Sequence, residues 1–375
     1  MRLQFILVKG EKSFVTKVVG IDLFCGIGGL TNGLVQSNIE IRAGFDIDET
    51  CRKSFSQKNN GFPDFVCGDI KKLGEQDFKK YFSDLKQDDY KLIAGCAPCQ
   101  PYSSYQKNKD FKSRSNHKSY GLIEEYLRVV KIVEPDFVVM ENVRLLIKDD
   151  VFLNQFVEYF RENNFHVDYK VVNMADYGAP QRRMRLLFLA VNKKTVKNFR
   201  DFVVHKKIKN VNKKTVFDTI GYLPKINNGE INKTDFLHQS SKLSDLNLKR
   251  IKNSREGGTW RDWPKDILPD CYKRESGSTY SSVYGRMKKH DVSPTLTTQF
   301  NRYGTGRYGH YEQDRAISLR EGALLQTFPV DYEFDSSLGT TVIARQIGNA
   351  VPPIYAKVLG EMILDNLKMV KKNEW

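Results

Sequence analysis

The N-terminal half of the chain alternates short apolar runs with stretches whose apolar residues recur every three or four positions. The apolar runs cover residues 17–24, 39–46, 65–66, 91–94, 136–140, 167–173 and 185–191. Several are rich in Val and Ile, as expected for strands buried on both faces. Residues 30–37 fit a helix, and Leu122, Tyr126, Val129, Val130 and Val133 mark another over 122–133, with a third over 151–161. Strands alternating with helices predict an α/β fold with a doubly wound, mostly parallel sheet. From Asn192 the chain turns lysine- and asparagine-rich with weak periodicity, and regular patterning returns near Leu319. We therefore expect a main domain of residues 1–191 plus 344–375 and a second, smaller domain of residues 192–343.

Polar residues close several of these strands: Asp46, Asp69, Cys99 and Glu141. Carboxyl ends of parallel strands share one edge of a sheet, so these side chains can converge on one crevice. The first strand runs into Cys25-Gly26-Ile27-Gly28-Gly29 and then a helix. A glycine turn of this kind lets a nucleotide-like ligand approach backbone amides, and Asp46 lies at the spacing that sets a carboxylate on a ribose hydroxyl. Gly95-Cys96-Ala97-Pro98-Cys99-Gln100-Pro101-Tyr102-Ser103 follows a strand with residues that end regular structure. Cys99 is thus presented on a stiff loop, and Cys96 beside it reads as a bystander. A redox or zinc pair fits poorly, because prolines bracket Cys99 and no histidines lie at ligand spacing. If residues 181–185 are extended, Gln181, Arg183 and Arg185 share one face.

Charge changes the picture in one respect. The net charge is +15 over 375 residues, yet residues 191–290 carry 23 Lys/Arg against 10 Asp/Glu. A concentrated excess suggests an electrostatic footprint for a polyanion. No apolar run reaches membrane-span length and no secretory signal is visible, while six scattered cysteines suit a reducing cytosol. We expect a cytoplasmic protein without membrane contact and without a metal.

Taken together, the motifs closely resemble the DNA cytosine-C5 methyltransferases of bacterial restriction–modification type. Residues 22–29 resemble the first motif of that family, Pro98-Cys99-Gln100 the catalytic one, and Glu141-Asn142-Val143 the Glu-Asn-Val motif. Gln181 to Arg185 resemble Gln-x-Arg-x-Arg, and residues 320–329 and 346–353 resemble the last two motifs. The motifs lie in the family's order, and only residues 192–290 lack a match.

The resemblance implies a Rossmann-like S-adenosylmethionine-dependent methyltransferase fold, with S-adenosylhomocysteine as the product of the cofactor. It carries Phe24, Gly26, Ile27, Gly29, Asp46, Ile47, Asp69, Ile70, Pro98, Leu122, Asn349 and Val351 to the cofactor pocket. Asp46 and Ile47 stand where many members have Glu and a large aromatic, so Ile47 would stack less well on adenine. Cys99 would be the nucleophile that adds to cytosine C6. Glu141 would hydrogen-bond to or protonate ring N3, a role that needs burial or hydrogen bonding. Arg185 would donate to the base O2, and Arg183 would brace the Cys99 loop or a phosphate. Double-stranded DNA would lie in the cleft with its target cytosine flipped out. The small domain would recognise the site, with Gln100, Ser103, Arg255, Trp260, Arg261 and Arg274 as candidate contacts. We expect a monomer, with a cognate restriction endonuclease acting independently. Two alternatives are a tRNA cytosine methyltransferase, whose Cys-Phe-Thr tripeptide is absent here, and a catalytically silent DNA-binding protein.

Overall fold

Seven strands form one sheet in the order β3-β2-β1-β4-β5-β7-β6 in the computed structural model, which describes residues 17–98, 121–149, 152–196, 213–274 and 282–372. They are β1 (Val18–Leu23), β2 (Glu40–Asp46), β3 (Asp64–Cys67), β4 (Tyr90–Gly95), β5 (Phe137–Val143), β6 (Phe165–Asn173) and β7 (Met184–Asn192). The first five pair in parallel, and β7 runs antiparallel to both β5 and β6. The strand order reverses at β1, beside β4, which is where open α/β sheets place a ligand crevice.

Residues alternate between two apolar layers along the central strands. Ile93, Val138, Met140, Leu186 and Phe188 pack on one face with α2 (Leu122–Val133). Leu92, Ala94, Phe137, Val139, Leu187 and Leu189 pack on the other with α1 (Gly29–Gln36) and α5 (Pro353–Lys372). Both faces are covered, which explains why these strands read as continuous apolar runs rather than alternating ones. The helix expected at 151–161 opens as a π-helical turn, Phe152–Val157, and continues as Glu158–Glu162.

A third apolar cluster carries the polypeptide beyond residue 192 onto the sheet. Cys25 and Ile27 of the glycine turn pack there with Phe300, Phe328, Tyr332, Ile343 and Ile347. The last two belong to α4 (Thr340–Asn349), so the boundary expected at 343/344 falls inside a helix. Ahead of it lies α3 (Leu319–Leu325), whose N-terminus is closed by a capping box of Ser318 and Glu321. A fourth cluster, around Trp260, Trp263, Ile267 and Tyr303, lies wholly within the segment after 192.

Gly33 sets how closely α5 lies on α1, since an added Cβ would stand 2.1 Å from the Pro353 carbonyl oxygen. That contact is backbone and cannot rotate away. Gly33→Ala is expected to lower unfolding free energy by about 1–3 kcal/mol through overpacking, as read by urea denaturation. Unchanged stability would mean that the two helices are not held at this spacing.

Candidate active site

The carboxyl ends of β1 and β2 build one wall of the site. Past β1, Phe24, Gly26 and Gly28 all adopt positive φ, at 58°, 51° and 85°. Phe24 is the costly member, because a Cβ disfavours this region and such strain gathers at functional sites. The turn brings the Gly26 amide to Asp46 Oδ2 at 2.8 Å, while the Asp48 amide donates to Oδ1 at 2.9 Å. Asp46 is therefore fixed through both oxygens, and each keeps capacity to accept a further bond. Burial raises its pKa, against the pull of the Asp48 and Gly26 amides. Asp22, buried alongside, accepts from the Thr31 hydroxyl at 2.7 Å. Its burial pushes it up to about 7, opposed by Thr31 and assisted by the charge of Asp46. A Cβ added at Gly26 would meet nothing within 4 Å, so the turn leaves its backbone open.

The ends of β4, β5 and β7 build the opposite wall. Glu141 is 2% exposed and sits within β5 rather than after it. The Cys96 thiol donates to Glu141 Oε2 at 3.0 Å, and Arg185 Nε lies 3.0 Å from Oε1. Cys96 is thus no bystander: its thiol fixes the orientation of the buried acid. Oε1 is buried and lacks an aligned hydrogen bond, so it has acceptor capacity left for a ligand. Asn142 Nδ2 donates to the Ala97 carbonyl at 2.9 Å and holds the chain leaving β4 against β5. Pro98, the next residue, reaches the cleft. Cys99, Gln100 and Ser103 lie outside the described residues.

Arg183 is buried, and its guanidinium donates to the carbonyls of Leu296 at 3.2 Å and Gly348 at 3.3 Å. Burial and the neighbouring Arg185 bring its pKa down to about 9, which leaves it charged at neutral pH. It braces the segment at 296 and the end of α4, where the sequence suggested the Cys99 loop or a phosphate. Gln181, also buried, donates to Gln326 Oε1 at 2.6 Å and accepts from the Leu296 amide at 3.0 Å. Arg182 between them is exposed, as the alternation of an extended segment requires.

These walls enclose a cleft of about 890 Å³. Of the expected residues, Phe24, Gly26, Ile27, Gly29, Asp46, Pro98, Glu141, Arg183, Arg185, Asn349 and Val351 line it. Ile47 is 72% exposed and is not on its wall. Asp69 accepts from the Lys71 amide at 3.1 Å, Ile70 is in the core, and Leu122 packs against that core, all off the cleft wall. A carboxylate with free acceptor capacity, an open glycine turn and apolar Phe24, Ile27 and Val351 together suit an adenosyl-type ligand. Pro294, Thr295, Thr297, Arg307 and Tyr308 also line the cleft, from the segment after residue 192. Sequence reasoning missed these, since no motif marks them. Cys96 and Asn142 fall within the motif stretches, but only contact geometry reveals what they hold.

The candidate DNA contacts divide sharply. Trp260 is buried and stacked on Tyr272 at 4.5 Å, with ring planes 6° apart, so it packs the small cluster instead of facing solvent. Arg261 is exposed with its guanidinium over the Trp260 ring, Arg255 is exposed and paired with Asp262 at 3.2 Å, and Arg274 is exposed. Among the described residues, no three or more His, Cys, Asp or Glu side chains are grouped to hold a metal ion. No helix among them is long and apolar enough to cross a membrane.

Comparison with known proteins places this geometry. Residues 18–365 match the family described as C-5 cytosine-specific DNA methylase. The type II methylase M.HgiDII of Herpetosiphon aurantiacus is 42% identical over 92% of this chain and 94% of its own. The type II methyltransferase M.NgoFVII of Neisseria gonorrhoeae is 31% identical over 94% and 89%. Among solved structures, a prophage-encoded DNA modification methyltransferase candidate from E. coli superposes with a TM-score of 0.72. It is 22% identical, and the match covers 94% of this chain and all of that one.

The Cys96 contact predicts a kinetic effect separable from folding. Cys96→Ala is expected to lower kcat of methyl transfer about fivefold, the loss of roughly 1 kcal/mol of hydrogen bonding, with KM for DNA unchanged. Cys96→Ser keeps a donor and should recover most of the rate. An unaltered kcat in the alanine variant would remove the thiol from any role in positioning Glu141.

Proposed function

This chain belongs to the C-5 cytosine-specific DNA methylases, and on that premise we propose how its residues act. It methylates C5 of a cytosine turned out of a specific double-stranded DNA site, with S-adenosylmethionine as donor and Cys99 as nucleophile. The observation that carries this reading is the Glu141 carboxyl, buried between the Cys96 thiol and the Arg185 guanidinium in the same cleft as Asp46.

When bound, S-adenosylmethionine supplies an electrophilic methyl group that cytosine C5 is too poor a nucleophile to take unaided. Asp46 would hold its ribose hydroxyls, the turn at Gly26 its backbone-facing side, and Phe24, Ile27, Pro98 and Val351 its apolar parts. The Cys99 thiolate adds to C6, forming a carbon–sulfur bond and turning the ring into an enamine nucleophilic at C5. Glu141 engages N3 and withdraws the electron density that resists this attack. Arg185, beside it, donates to the base O2. Once C5 carries its methyl group, water acting as base takes the C5 proton, the C–H electron pair restores the C5–C6 double bond, and the C6–sulfur bond breaks to release the Cys99 thiolate. Arg183 acts on none of these atoms and positions the walls that do.

A small domain at 192–343 would read the site, with Arg255, Arg261 and Arg274 as exposed candidate contacts. Trp260, buried against Tyr272, is assigned to packing in this reading. The named relatives are type II methylases, which supports a role beside an independent restriction endonuclease in a bacterial cytoplasm. We propose that the enzyme acts as a monomer.

Two measurements test the reading. Labelled methyl should pass to duplex DNA, whereas transfer to tRNA alone would overturn the DNA assignment. Duplex carrying 5-fluorocytosine at the target has no C5 proton to lose, so a covalent adduct should accumulate with the unaltered protein and be absent in Cys99→Ser. Failure of the unaltered protein to form it would count against the thiolate mechanism.

A further inference from the structure

We propose that Arg307 clamps a DNA backbone phosphate at the catalytic cleft, an inference that rests on the reading that nucleic acid enters there. Arg307 comes from the segment after residue 192 yet lines the cleft that holds Glu141 and Arg185. Its Nε is shielded from solvent and has no hydrogen-bond partner. Among the described residues, no hydrogen bond or ion pair engages its guanidinium. Leaving such a donor unmet costs about 1–3 kcal/mol, a cost that a ligand can remove.

Neighbouring arginines make the contrast plain. Arg250 is buried and donates to the Ile267 carbonyl, and Arg286 donates to the carbonyls of Ser254, His310 and Ile251. Arg315 grips both oxygens of Glu321, and Arg320 grips Asp235. Each is committed to holding the fold together. Arg307 is only partly buried, and among the described residues its guanidinium has no partner. Its stem lies over Gly285, where an added Cβ would stand 2.7 Å from Arg307 Cγ. On either side, the Gly285 amide donates to the Gly306 carbonyl at 3.3 Å, and the Tyr308 hydroxyl to the Thr295 carbonyl at 2.8 Å. The backbone around Arg307 is thus fixed before any ligand arrives.

The missing partner has to be an anion with paired oxygens. A guanidinium presents Nε and Nη as a planar fork that matches a phosphate, and a cation whose Nε is shielded from water favours opposite charge there. A neutral base edge would supply acceptors without that charge. Phosphate contacts also carry a signature of their own, because each releases counterions from the duplex.

The test uses full-length protein and sheared duplex DNA from a bacterial strain lacking cytosine methylation. In filter binding, Arg307→Gln should weaken affinity about tenfold and reduce the slope of log affinity against log salt by about 0.9, one phosphate contact. Its KM for S-adenosylmethionine should stay unchanged. Arg307→Lys keeps the charge and the stem over Gly285, so it should retain the salt slope while losing part of the affinity. It also decides the matter should the glutamine variant fail to fold, which thermal melting would reveal. Affinity and slope equal to those of the unaltered protein would overturn the clamp. A rise in KM for the methyl donor alone would also overturn it, assigning Arg307 to the donor's carboxylate. If the unaltered protein transfers no methyl group to this DNA, the proposed function fails, while the difference in salt slope still decides the clamp.

Discussion

Arg183 donates from one buried guanidinium to the carbonyls of Leu296 and Gly348, which lie 113 and 165 residues further along the chain. It stands just before β7, the one strand that runs against the others, and thereby joins the sheet to two remote segments. Gln181 ties to the first of these again, through the Leu296 amide, and adds a third segment through Gln326, just past α3. These bonds are worth more than their number suggests. Removing the guanidinium would leave two buried carbonyls and a packed void, so the cost would far exceed that of a surface contact. Arg183 itself lines the cleft, so this knot ties its walls to one another.

Given that frame, the chemistry divides along the sheet edge. The β1 and β2 ends offer a fixed carboxylate and an open turn, suited to the polar and apolar parts of an adenosyl ligand. The β4, β5 and β7 ends offer a buried acid between a thiol and a guanidinium, suited to a planar base. Parallel pairing forces these ends together, since every strand from β1 to β5 points its carboxyl end the same way. The antiparallel β7 contributes instead through its start, which is why Arg183 and Arg185 precede or open their strand while Glu141 lies near the end of its own. One edge therefore collects residues that are far apart in sequence without any long connection.

Much of this was legible in the residues alone. Apolar runs marked every strand, and polar residues after several of them pointed to one edge, because carboxyl ends of parallel strands share it. Helix 122–133 was readable to the residue, since its apolar spacing matches one buried stripe. Other features depend on contacts between distant residues, which composition and spacing do not encode. Cys96 looked idle because its partner is 45 residues away on the next strand. Trp260 looked like a nucleic-acid contact in a basic stretch, but Tyr272 supplies a ring to stack on, and burial of that surface decides its place. Asp69 and Ile70 followed the motif, yet Ile70 turns into the core and Asp69 closes a turn.

The same distinction governs the basic segment. Residues 191–290 hold a formal excess of thirteen positive charges, 23 Lys/Arg against 10 Asp/Glu, and that excess suggested a polyanion. In the structure some of these cations serve the interior: Arg250 and Arg286 satisfy backbone carbonyls in a region with little regular secondary structure to pair them. A segment short of strands and long helices has many carbonyls without partners, and arginine can serve several at once from one planar group. Arginine content there measures irregular backbone as well as affinity for phosphate. The residues that can face DNA are those whose fork is not already used within the fold. Net charge identifies the region, and the pattern of internal hydrogen bonds identifies the residues.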